Sequence, residues 1–409
     1  MKSWKYVILL LMIASMLASS SAALSQSAMK VRDESPVYLQ TDVSDILHSI
    51  LNKKLNREER DSARLKKNGP SISAIPAFGY GIATGLTGLI ATSTTFFTDK
   101  ERKRRSSVLL NGYYSVNKQY WFTAISNIFL DKQKLRIFSD TRYYEFPTQT
   151  YGLGAYTPLS NPLQIDYSYL RFYQILLRQV RDNFYLGIGY CLDKHWNIEV
   201  DSIPGKALEQ FVKYQKGNHS TSSGISLSVM YDSRKSTVNP RNGYYANIQF
   251  RPKMTILGSD RNWQSLIIEV RHYIKLSHSS RNVLALWSYN NISLSGTPPY
   301  LDMPSIGWDN YSNTGRGYAP GRYTGRNILY LESELRYSIT RNGLLGGVIF
   351  ANGQSVNEKI SDACRKIIPG GGMGLRVKLN KLSDTNVGVD YGLGIRGSHG
   401  LFFNIGEVF

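Results

Sequence analysis

From Ile72 onward, apolar and polar residues alternate with a period of two, the mark of strands with two unlike faces. Leu331, Leu335, Tyr337 and Ile339 stand against Glu332, Glu334, Arg336 and Ser338. Val387, Val389, Tyr391 and Leu393 stand against Asn386, Gly388, Asp390 and Gly392. About sixteen such segments run from residue 72 to 409, the last over 399–409. Most reach the roughly 9–11 residues that a tilted strand needs to cross a bilayer. Soluble strands are usually shorter, about five or six residues. The connections alternate too: those at 131–132, 180–182, 341 and 380–384 are short, and those at 144–163, 201–221, 293–326 and 355–369 are long. This pattern predicts an all-β fold, a transmembrane antiparallel β-barrel of about sixteen strands over residues 71–409. A sheet in hydrocarbon has no water for unpaired backbone groups, so it closes. Its apolar face then meets lipid and its polar face lines the interior.

The segment 1–23 supports that choice of faces. Lys2 and Lys5 precede an apolar run that ends in small residues, as in a cleaved export signal. Tyr, Trp and Phe recur near the segment ends, where interface girdles sit. The predicted location is therefore the cell outer membrane, with lipid as the first partner. Residues 24–70 read as a short polar, partly helical periplasmic segment, with helical spacing at Val43, Ile46, Leu47, Ile50 and Leu51. The formal charge is +19, and +17 without Lys2 and Lys5. Nucleic-acid binding is excluded by the membrane location, despite that charge. Two cysteines, Cys191 and Cys364, exclude a disulfide scaffold, and they are expected to stay unpaired.

Four stretches carry a family likeness. Gly315, Arg316, Gly317 and Tyr318 lie in the long loop before the strand holding Glu332 and Glu334. Tyr231, Asp232, Ser233 and Arg234 precede Pro240, Gly243 and Tyr244. Gly374, Leu375 and Arg376 precede Asp390, Tyr391 and Gly392. The last segment ends Phe403, Asn404, Ile405, Gly406 and then Phe409. Their order and spacing over one barrel resemble the BamA/TamA superfamily, the bacterial surface antigen family. That resemblance implies a long sixth extracellular loop folded into the lumen, where Arg316 meets a carboxylate on the inner wall. Glu332 and Glu334 are within reach, and Glu334 is favoured. A guanidinium taken from bulk water needs such a planar partner. The family's usual lumen aspartate falls at Ala351; Asn352 beside it is expected to face the other way. Phe403, Ile405, Gly406 and Phe409 resemble the C-terminal sorting signal of outer-membrane proteins, with Leu401, Phe403, Ile405 and Phe409 on one face.

The family also implies a weak seam between its first and last strands, and Gly79, Gly81, Gly85 and Gly88 thin the first two here. Periplasmic (POTRA) repeats, which the family carries before its barrel, do not fit into the forty residues ahead of this one. The chain reads as a barrel-only member, with capture of clients left to separate periplasmic factors. No metal-ligand spacing, nucleophile elbow or phosphate loop is present, so no cofactor, metal or catalytic residue is expected. Two functions fit: assisting assembly or translocation of client outer-membrane proteins, or a passive pore or structural surface barrel.

Overall fold

The computed structural model describes residues 40–50, 69–81, 85–99 and 104–409, apart from 117, 146, 161, 202–203, 278–280 and 363–364. The export signal expected at 1–23, most of 24–70 and Cys364 lie outside the described residues. Seventeen strands form one antiparallel sheet. The first nine are β1 (Ser71–Gly81), β2 (Gly85–Phe96), β3 (Ser106–Ser115), β4 (Tyr120–Leu130), β5 (Leu135–Glu145), β6 (Thr148–Thr150), β7 (Leu163–Arg181), β8 (Phe184–Val200) and β9 (Ser220–Asp232). The rest are β10 (Gly243–Lys253), β11 (Trp263–Lys275), β12 (Val283–Gly296), β13 (Asn327–Ser338), β14 (Leu345–Asn357), β15 (Ile368–Asn380), β16 (Thr385–Gly394) and β17 (His399–Ile405). Strand β6 is a three-residue ribbon on the outer end of β7. The other sixteen form the wall, each paired to the next in chain order, with β5 pairing β7 across the ribbon. Among the described residues no ladder joins β17 back to β1; β17 lies beside β2.

Alternation places the faces. Leu331 is 53% exposed on the outside of β13, while Glu334 is fully buried on the inside. Met373, Leu375, Leu401 and Phe403 are exposed outside, and Arg376, Lys378 and Asp390 are buried inside. A continuous apolar exterior of this extent is a surface for lipid, not water. The tight turns gather at one end: Asp131–Gln133 lies between β4 and β5, and Asp182 and Asn183 join β7 to β8. The long loops gather at the other, and the sixth of them, residues 297–326, folds into the barrel. Tyr273, Trp287, Ile306, Tyr318, Tyr323 and Tyr330 pack together there. These aromatic side chains thus occupy part of the lumen beneath the long loops.

The last strand is shorter than its alternation predicts. It ends at Ile405, not 409. Gly406 takes a φ of +91°, which carries the chain out of the ladder. Phe409 then turns inward, 3% exposed, with its ring 5.1 Å from that of Trp287. It does not share a face with Leu401 and Phe403, as the period of two had suggested. Once the backbone leaves the pleat, that period no longer assigns faces.

Two short helices flank the wall. Helix α1 (Val43–Ile50) is capped reciprocally: Asp45 N–H donates to Asp42 at 2.9 Å, and Asp42 N–H to Asp45 at 3.2 Å. Lys381, in the turn between β15 and β16, holds both carboxylates, at 3.1 Å through its backbone and 2.8 Å through Nζ. Helix α2 (Lys206–Tyr214) lies in the long β8–β9 loop and caps the opposite end.

Candidate functional site

Loop six is shaped before it reaches the wall. The Asp309 carboxylate accepts from the backbone of Asn313 at 2.9 Å and of Thr314 at 2.7 Å. Thr314 Oγ1 adds a third bond at 2.8 Å. Gly315 and Gly317 follow at φ +81° and +107°, and the Gly315 carbonyl accepts from Tyr318 N–H at 3.0 Å. That turn presents Arg316 to the barrel wall. A Cβ on Gly317 would stand 2.6 Å from the Leu393 carbonyl oxygen, so the close approach to β16 needs glycine.

The Arg316 side chain is 1% exposed. Its Nη1 donates to Asp390 at 2.6 Å, and its Nη2 to Glu334 at 2.6 Å and to Glu332. The guanidinium carbon lies 3.7 Å from the centre of the Phe350 ring. Two further arginines share these carboxylates. Arg336 Nε donates to Glu334 at 2.6 Å, and Arg376 Nη2 to Asp390 at 3.2 Å. Arg376 Nε also reaches Glu407, beyond β17, at 2.9 Å. Three guanidinium groups therefore meet four carboxylates in a buried network, which is how buried charge is tolerated.

Tyr318 continues the attachment. Its hydroxyl donates to the Pro369 carbonyl and accepts from Ile395 N–H at 2.9 Å. Ser398 Oγ donates to the Gly317 carbonyl at 2.7 Å. Gly315, Arg316, Gly317 and Tyr318 thus dock onto β13, β15, β16 and the β16–β17 connection. The tail joins the same assembly: Arg336 Nη2 donates to the Phe409 carbonyl at 2.9 Å. Of the four residues that resemble a sorting signal, Phe403 is exposed and Ile405 half-buried at the end of β17, Gly406 makes the turn, and Phe409 is inside.

Residues 92–403 match the Omp85 superfamily domain. The chain belongs to the Omp85 superfamily. This Omp85 fold is similar to BamA from Haemophilus ducreyi lacking POTRA domains 1-3, with TM-score 0.51 and 17% identity over 83% of this chain and 70% of that one. It is also similar to CdiB from Acinetobacter baumannii, at 0.51 and 14% over 92% and 72%. CdiB from Escherichia coli gives 0.55 and 11% over 82% and 62%. At such identities the likeness speaks for the fold. No curated protein matches the sequence.

Within this Omp85 barrel the carboxylate set differs from expectation in two ways. Asn352, expected to face away from the lumen, is buried inside, and its Nδ2 donates to the Arg316 carbonyl at 2.9 Å. Ala351 faces outward. The inward phase of β14 is set by Phe350, Asn352 and Gln354. The third carboxylate comes instead from Asp390 on β16, which partner choice by nearness in sequence had overlooked. Its place on the polar side of β16 was the available signal. Among the described residues no group of His, Cys, Asp and Glu gathers in a metal-binding arrangement.

Proposed function

We propose that this Omp85 barrel assists the assembly or translocation of client outer-membrane proteins by opening between β1 and β17. The shortness of β17 carries the reading. β17 has seven residues, the fewest of the sixteen wall strands, so it offers few backbone bonds to any partner. Seven residues also fall short of the roughly 9–11 that span a bilayer, which favours local thinning at the seam. Loop six, held through Arg316, would keep the lumen wall in shape while the seam parts. The sorting-signal role of Phe403, Ile405, Gly406 and Phe409 belongs to the same reading. So do cleavage of residues 1–23, a periplasmic place for 24–70 and separate periplasmic factors that deliver clients.

Conditional depletion followed by outer-membrane proteomics tests this. Loss of other barrels, restored by the wild-type chain but not by one with a disulfide locked across β1 and β17, is the expected result. Unchanged outer-membrane protein content would count for a passive structural barrel. The aromatic filling beneath loop six speaks against an open pore, and a closed trace in planar bilayers is expected.

A further inference from the structure

Among the arginines buried on the inner wall, Arg251 on β10 stands apart. Arg136, Arg142, Arg234, Arg271, Arg336 and Arg376 each pair with a carboxylate. Arg251 is 6% exposed, yet no carboxylate pairs with it among the described residues. Its Nη2 donates to Gln249 Oε1 at 2.5 Å, and its Nε has no hydrogen-bond partner. A guanidinium buried without a counter-charge is strongly unfavourable, so what faces it matters.

The surroundings are cationic. Arg171, Arg251 and Lys253 surround the ring of Tyr173, at 4.7, 4.8 and 5.3 Å from its centre. The ring offsets part of their charge. Asp193 serves the other two cations, at 3.2 Å from Arg171 Nε and 3.2 Å from Lys253 Nζ. Its oxygens also accept from the hydroxyls of Tyr169, at 2.7 Å, and Tyr173. Asp140 meets Arg171 at 3.5 Å but is already held by Arg142 at 2.7 Å. Asp302 enters from loop six, where it accepts from Ser222 Oγ at 2.5 Å and lies 3.7 Å from His195 Nδ1. Asp193 and Asp140 are therefore engaged by other cations, Asp302 meets the Ser222 hydroxyl and the His195 ring, and none of the three pairs with Arg251.

Arg171, Tyr173, Asp193, Arg251, Lys253 and Asp302 line a cavity of about 100 Å³ between β7, β8, β10, β11 and the loop-six segment around Tyr300 and Asp302. A water needs roughly 10–15 Å³ by this measure, so the cavity has room for several waters or for one small oxyanion. We propose that this cavity binds a single oxyanion group, a carboxylate or phosphate, seated on Arg251 with Lys253 beside it. The planar guanidinium matches either group through two parallel N–H donors. Tyr173, Tyr289 and Trp263 wall the cavity and lower the local dielectric, which strengthens that pairing. The site is independent of seam opening, and its test needs no client.

The full chain, refolded in micelles, is titrated calorimetrically with inorganic phosphate. In parallel it is titrated with a tripeptide that ends in a free carboxylate, each against chloride at equal ionic strength. Saturable binding of one ion per barrel is expected, at least tenfold weaker in Arg251→Gln and less affected in Arg251→Lys. Heat-modifiable gel mobility reports that each variant is folded, and Lys253→Met gives a second reading if Arg251→Gln is not. Phosphate binding alone assigns the site to a free oxyanion; peptide binding assigns it to a carboxylate on a polypeptide. No saturable binding of either probe above the chloride control, or wild-type affinity in Arg251→Gln, overturns the proposal.

Discussion

Asn313 Nδ2 donates to the Val408 carbonyl at 2.6 Å, so loop six is bonded to the residues that follow the last strand. A second route runs from Arg316 through Asp390 and Arg376 to Glu407. The inward loop and the end of the seam strand therefore share one buried polar network. Moving either one disturbs the other.

Charge reversal at Arg316 should be the most damaging single change in that network. Arg316→Glu removes the cation that joins Glu332 to Glu334 and Asp390, and adds a fifth carboxylate to the network. The expected loss is at least about 3–5 kcal/mol, the usual scale for breaking a buried pair. Heat-modifiable mobility and urea refolding midpoints report it. Glu334→Arg in the same chain should restore part of the loss, in a double-mutant cycle. A single variant that refolds normally would show that loop six is held by other contacts.

Asp390→Asn should weaken folding on the scale that Glu334→Gln does, because each carboxylate bridges Arg316 to at least one further arginine. Moving the missing charge to the family's usual place should not help. Ala351→Asp sets a carboxylate on the lipid face, where charged side chains cost up to about 2–4 kcal/mol at mid-membrane, acids less than bases. Refolding of Asp390→Asn alone and with Ala351→Asp decides it: rescue would mean that residue 351 faces the lumen.

Phe409→Ala and Phe403→Ala should behave differently in micelles. Phe409 packs on Trp287, and emptying such a site typically costs about 3–5 kcal/mol. Phe403 is 64% exposed on the outer face, and its removal should change stability by about 0.5 kcal/mol or less. Tryptophan fluorescence during urea unfolding measures both. Equal losses would place the two rings in similar surroundings.

Gly317→Ala should loosen the loop without breaking an ion pair. The new Cβ meets a backbone oxygen at 2.6 Å, and φ of +107° is strained for any L side chain. Faster protease cleavage within residues 297–326, with little change in total strand content by circular dichroism, is the expected outcome.

The faces of β13, β15 and β16 were legible because polar and apolar residues alternate there without interruption. Leu331 against Glu332 is enough to fix the phase. β14 was not legible in the same way. Val348, Ile349, Phe350 and Ala351 are consecutive apolar residues, so the period disappears where Asn352 needed placing. The inward tail was hidden for a different reason: the alternating face is interrupted only at Glu407 and resumes at Phe409 in the sequence, but the backbone conformation of Gly406 takes the tail out of the pleat. Glu332 and Glu334 were within reach because they follow the loop closely in sequence. Asp390 lies 74 residues from Arg316 in the chain, and only the curvature of the whole wall brings them together. Arg251 carried no signal at all, since an isolated arginine on a polar face looks like any other.

The turn at Gly406 has a practical side. A purification tag or fluorescent protein joined after Phe409 would have to start from within the enclosed space that the aromatic side chains and loop six already occupy. Such a fusion would compete with Phe409 for its seat on Trp287. Labels are better carried on the β14–β15 loop near Lys359, Ser361 and Arg365, which are exposed.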